Sequence, residues 1–143
     1  YLIIEEANLS QAIQSLRAIG IDTVGGVFSA DIAKKHDAHL QQASVHEVAN
    51  LANPFILDVR SRTERDEAYI PNSHFIPMGE LLGRLNELPK DTPIITQCGS
   101  GVRSQVVASL LQNRGFTVIN MIGGIDAWRK AGLAVQSNEL MPA

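Results

Sequence analysis

The chain is 143 residues long, 45% hydrophobic and 19% charged, with a formal net charge of -3. That length accommodates one well-cored domain and a fragment of another, and the acidic balance leaves no basic footprint for nucleic acid. One cysteine excludes an intrachain disulfide, so a reducing compartment, the cytoplasm, is the expected location; no apolar run approaches the roughly 20 residues of a membrane span, and no basic-then-apolar leader opens the chain.

In chain order, Ser15–Gly20 followed by Val24-Gly25-Gly26-Val27 echoes Leu110–Gly115 followed by Ile122-Gly123-Gly124-Ile125. Both read helix, capping glycine, strand, double glycine. The echo is consistent with an internal repeat and equally with the turn chemistry that strand-helix-strand units share. On the repeat reading, residues 1–29 are the C-terminal remnant of a degenerate, cysteine-less copy, 30–41 a polar linker and 42–143 a complete domain. From Ser44 onward, short β-rich runs alternate with helical periods, the pattern of an α/β fold with a mainly parallel sheet. Phe55–Arg60 reads as a buried strand after the breaker Asn53-Pro54. Leu81, Leu82, Leu85 and Leu88 form an amphipathic helical stripe closed by Pro89. Pro93–Gln97 is the next strand. A helix with Val106, Val107, Leu110 and Leu111 on one face follows, stopped by Gly115 as a left-handed cap. Thr117–Ile122 is a further strand, and Gly123-Gly124 turns into a short helix around Trp128, read as a core plug.

Cys98 thus falls at the carboxyl end of a strand and the amino end of a helix, where open α/β sheets bind ligands. A thiol is a weak nucleophile until its thiolate is stabilised, and converging N–H groups at a helix start do that. Gly99 and Gly101 can take positive φ and let the backbone of Gly99–Ser104 curl into an anion-binding nest. Ser100 and Ser104 add hydroxyls without bulk, Val102 lends its backbone, and Arg103 adds a permanent charge. An isolated cysteine is commonly a small buried hydrophobe; the strand-end position, the glycines and the arginine favour chemistry here.

Two chemistries use such a cup. Cysteine phosphatases place five residues between nucleophile and arginine, whereas here only Gly99, Ser100, Gly101 and Val102 intervene. The shorter loop closes a tighter ring, better matched to one additional sulfur than to a tetrahedral phosphate. No aspartate stands nearby in a general-acid motif, which phosphate transfer wants for its leaving group. Sulfane-sulfur transfer does without one, because sulfite and thiolates leave as stable anions.

Over roughly Gln42 to Val135 the sequence resembles the rhodanese domains. The resemblance rests on Leu57-Asp58-Val59-Arg60, on Tyr69-Ile70-Pro71-Asn72-Ser73 leading to Ile76-Pro77, on Cys98–Ser104, and on Gly123–Trp128 with Ala131-Gly132-Leu133. It implies a parallel five-stranded α/β sheet flanked by helices and a sulfurtransferase in which Cys98 cycles between thiolate and persulfide. The backbone of Gly99–Ser104 would cradle the terminal sulfur and Arg103 would orient an anionic donor. Thiosulfate or a low-molecular-weight persulfide is the expected donor and a thiophilic small molecule the acceptor, with no cofactor and no metal ligand in this chain. The family usually reads His-Ile-Pro-Gly-Ala where this chain has Tyr69–Ser73. The loop opens like that of mercaptopyruvate sulfurtransferases but lacks their closing threonine. A cysteine-less partial copy before a complete one is similar to the tandem rhodanese tail of metallo-β-lactamase-fold fusion proteins, which implies an upstream domain of that fold, bearing the metal site, as a partner.

Asp58 and Arg60 at a strand end are read as structural support, bracing loop N–H groups or an ion pair. His36, Asp37 and His39 lack companions at ligand spacing and are read as solvated surface, as is Lys34-Lys35. The reading from another class is a rhodanese-like interaction or regulatory module with an idle loop; loss of the cysteine or its glycines would have favoured it.

Overall fold

The computed structural model describes residues 2–31 and 39–138. Two compact units divide the chain, Tyr1–His39 and Leu40–Ala143. In the first, β1 (Leu2–Ile3) and β2 (Val27–Phe28) pair in parallel around α1 (Leu9–Ala18). Gly20, at φ +83°, follows that helix. The strand, however, comes after Gly25-Gly26 rather than before it. Neither of those glycines is left-handed, whereas Gly123 and Gly124 both are. The likeness in sequence is therefore not a likeness of backbone at that turn. No described residue of this unit is buried.

The second unit contains β3 (Gln41–Ala43), α2 (Val45–Ala49), β4 (Phe55–Asp58), α3 (Arg62–Glu67), β5 (His74–Phe75), β6 (Ile94–Gln97), α4 (Val102–Gln112), β7 (Val118–Met121) and α5 (Gly124–Lys130). Its five strands form one parallel sheet in the order β3-β7-β6-β4-β5. Gln41, assigned by sequence to the end of the linker, is the first residue of β3.

The central strands are apolar on successive positions because both faces of a parallel sheet are covered. Leu57 and Ile94 point into one core with Val107, Ala108 and Leu111 of α4. Ile56, Ile95 and Met121 point into the other, against Val45 and Val48 of α2 and Ile125 and Trp128 of α5. Trp128 Nε1 donates to Ala134 O at 2.9 Å, so the plug also has its polar edge satisfied.

Two helical readings need correction. Residues Met78–Gly83 and Leu85–Glu87 are successive 3-10 turns, not one α-helix. Their tighter winding buries Leu81 and Leu88 but leaves Leu82 58% exposed. In α4 the buried face is Ser104, Val107, Ala108 and Leu111, while Val106 is 53% exposed. Hydrophobicity alone put Val106 inward; a buried serine with hydrogen-bonding work to do takes its place. His36, Asp37 and Lys34-Lys35 lie outside the described residues. Among those described, no helix is long and apolar enough to cross a membrane, and no group of three or more His, Cys, Asp or Glu is placed to hold a metal ion.

Candidate active site

Strand β6 leaves the sheet at Gln97 and delivers Cys98 to the base of the loop, where it is only 1% exposed. The Gly101 N–H donates to its Sγ at 3.2 Å. Gly101 can aim that amide because it is left-handed, φ +96°, and a side chain there would press on the Gly123 backbone at 3.0 Å. Gly99 is not left-handed, so of the two loop glycines only Gly101 uses that freedom. A Cβ at Gly99 would stand at ordinary contact distance, 3.5 Å from the Arg103 guanidinium and 3.8 Å from the Asp126 carboxylate.

Burial is the largest single influence on the Cys98 thiol and pushes its pKa up. The Ser104 hydroxyl and the backbone N–H groups of Ser104, Gly101 and Arg103 together outweigh it, so the pKa falls below its ordinary value. Ser104 is fully buried, its hydroxyl oxygen 2.7 Å from Asn120 Oδ1 of β7, so its single proton is divided between that oxygen and the Cys98 sulfur, while Thr96 of β6 donates to the Ser104 carbonyl at 3.2 Å. Two strands thus hold the serine. Ser100 and Val102 are exposed, Val102 to 68%, so the latter's contribution is its backbone.

The loop is fastened from the far side by the start of α5. Ile125 N–H donates to Cys98 O at 2.9 Å and Asp126 N–H to Gly99 O at 3.1 Å. Such an approach leaves no room at Gly124, whose φ is +54° and where a Cβ would run into Cys98 O and Gly99 O. The double glycine read as a turn is also the bracket that shapes the loop.

Above the loop lies a cavity of about 290 Å3. It is lined by Arg60, Arg103 and Arg129, by Glu64, Glu67 and Asp126, and by the apolar Ala68 and Ile125. Arg103 is held by both oxygens of Glu64, Nη1–Oε2 at 2.8 Å and Nη2–Oε1 at 2.6 Å. Glu64 also closes a capping box with Ser61 at the start of α3. The Arg103 hydrogen bonds dominate in lowering the Glu64 carboxyl from 4.5 to about 2. Arg60 and Asp58 form a buried pair, with Nη2–Oδ2 at 2.7 Å and Nε–Oδ1 at 2.9 Å; Arg60 also donates to the carbonyls of Glu64 and Ala68. Together they tie the end of β4 to α3.

Sequence reasoning placed no aspartate near the loop, yet the fold brings Asp126 to it from a distant element. It also missed Glu64, Glu67, Arg129 and Asn120. Only Glu64 left a local signal, the Ser61-x-x-Glu64 box. The departures at Tyr69–Ser73 are accommodated: Asn72 takes φ +61°, a conformation asparagine tolerates better than most residues. The added Ser73 hydroxyl accepts from Arg65 at 3.0 Å and donates to Ile70 O at 2.6 Å.

Residues 33–131 match the family described as Rhodanese-like domain. A sulfurtransferase of Allochromatium vinosum is 32% identical over 93 residues, 64% of this chain and 87% of that protein. The thiosulfate sulfurtransferase GlpE of Coxiella burnetii is 33% identical over 75 residues, 52% of this chain and 70% of its own. Among solved structures, a rhodanese-related protein of Thermoplasma volcanium superimposes with a TM-score of 0.65 at 28% identity, covering 69% of this chain and 99% of the other. With its five-stranded parallel sheet and the match over 33–131, this chain belongs to the rhodanese-like domain family.

Proposed function

We propose that the protein is a sulfurtransferase that moves a sulfane sulfur from thiosulfate or a low-molecular-weight persulfide to a thiophilic acceptor through a persulfide on Cys98. The Cys98 thiolate attacks the terminal sulfur of the donor, an S–S bond forms to Sγ, and the donor's own bond to that sulfur breaks. Its electron pair departs with sulfite or a thiolate. The acceptor then attacks the terminal sulfur of the Cys98 persulfide and the thiolate is regenerated. No general acid is required, because every leaving group is already a stable anion.

The observation that carries this reading is the Gly101 N–H donated to a sulfur whose pKa is held down despite burial. Asp58 and Arg60 support the site without touching the sulfur, and the backbone of Gly99–Ser104 receives the added atom. Similarity to proteins named sulfurtransferases supports the same chemistry. On the same reading residues 1–29 are the C-terminal remnant of a cysteine-less copy and 30–41 a linker that runs into the first residue of β3, with a metallo-β-lactamase-fold domain as an upstream neighbour. Intact-protein mass spectrometry after incubation with thiosulfate or glutathione persulfide tests the assignment. A one-sulfur adduct that cyanide removes, and that C98S abolishes, is the expected result. Failure of both donors to load the wild-type protein would remove it.

A further inference from the structure

The cavity lined by Gly99 and Ser100 of the Cys98 loop is poorly arranged for a dianion. Of its three guanidiniums, Arg103 is already held by Glu64 and Arg60 by Asp58. Among the described residues Arg129 has no ion-pair partner, and the same is true of the two remaining carboxylates, Glu67 and Asp126. A ligand entering the cavity therefore meets two uncommitted negative charges and one positive. Thiosulfate carries two negative charges and nothing for Glu67 or Asp126 to bind.

Resting on the transferase reading, the geometry points to an α-amino-acid persulfide as the preferred sulfur donor, with Glu64 as the residue that sets this preference by withholding Arg103 from dianions. The donor's ammonium group is recognised by Glu67 and Asp126 and its carboxylate by Arg129. Its terminal sulfur is directed toward Gly99, the cavity residue that follows Cys98 in the loop. The balance of the step is simple. The Cys98 thiolate forms a bond to the outer sulfur, the donor's S–S bond breaks, and the amino-acid thiolate leaves with the electron pair. Glu64 touches neither the sulfur nor the reacting bond. It positions a charge, and it does so from a rigid seat, because its other contacts are the Ser61 amide and hydroxyl at the start of α3.

The test follows single-sulfur loading of Cys98 by intact mass on the full chain, with three probes: sodium thiosulfate, cysteine persulfide made from cystine and sulfide, and N-acetylcysteine persulfide, which lacks the ammonium group. Wild type should load from cysteine persulfide about tenfold faster than from the N-acetyl compound, and the double substitution Glu67→Gln with Asp126→Asn should abolish that ratio. Glu64→Gln should raise the thiosulfate rate about tenfold relative to the cysteine persulfide rate at low ionic strength, a gain that shrinks as salt screens Arg103. Glutamine is compatible with the capping box. Ser61→Ala, which weakens the box but keeps the ion pair, should leave the ratio between donors unchanged. Equal loading by the two persulfides in wild type, an unaltered ratio of thiosulfate to cysteine persulfide rates in Glu64→Gln, or the same gain in Ser61→Ala would overturn the inference while leaving sulfur transfer standing. Absence of loading from all three probes would instead overturn the transferase reading, and the inference with it.

Discussion

At the scale of single residues, Cys98 is held between two opposed influences, and the outcome depends on how many donors reach it. Removing the Ser104 hydroxyl subtracts the largest of the stabilising contributions while leaving burial in force. The Ser104→Ala protein should therefore show a raised thiol pKa. The rate of alkylation by iodoacetamide, followed against pH, should have its midpoint displaced upward from wild type; an unmoved midpoint would show that backbone amides alone ionise the sulfur. Glu64 makes a second test. Its folded pKa, about 2, lies below its ordinary 4.5, so its contribution to stability is complete above about 4.5 and disappears as pH falls toward 2. Urea midpoints measured from pH 5 downward should fall less steeply in Glu64→Gln than in wild type, by a modest amount because the carboxylate is 35% exposed.

Among elements, the informative relation is between the Cys98 loop and α5. Both carbonyls at the start of the loop are bound by amides of that helix, and the close approach depends on Gly124. A Gly124→Ala substitution meets a positive φ and two backbone oxygens at once. It should cost roughly 1–3 kcal/mol in urea unfolding and slow Cys98 loading beyond what the stability loss explains, because the loop must shift to admit the methyl group. Strands β4, β6 and β7 were legible in sequence to within a residue or two, since both of their faces are buried and their hydrophobicity is continuous. The segment from Met78 to Glu87 was not. Its leucines satisfy an α-helical period, yet packing against the sheet selects 3-10 turns and leaves Leu82 outside. Likewise α4 was recognisable as a helix, but its inward face was misread at Val106, because a buried Ser104 bonded to Asn120 gives no hydrophobic signal.

For the whole molecule, the two units differ in what they bury. Leu40–Ala143 has a core on each face of its sheet, whereas residues 2–31 expose Ile3 to 63%, Ile19 to 73% and Phe28 to 43%. A two-stranded ribbon with one helix and nothing buried has little to resist opening. Amide hydrogen exchange should accordingly be fast throughout β1, α1 and β2 and slowest in β4, β6 and β7. Protection of the first unit comparable to the central strands would contradict this.

The sequence by itself determined the parallel α/β architecture, the place of Cys98 at a strand end and the nest-forming composition of its loop, because these are local: hydrophobic runs, glycine positions and the count of residues to Arg103. Only the tertiary structure decided what surrounds that loop. Glu64 from α3, Asn120 from β7 and Asp126 from α5 reach the site through sheet order and helix packing. Charge compensation around the cavity is a property of distances between elements, and no spacing along the chain records it.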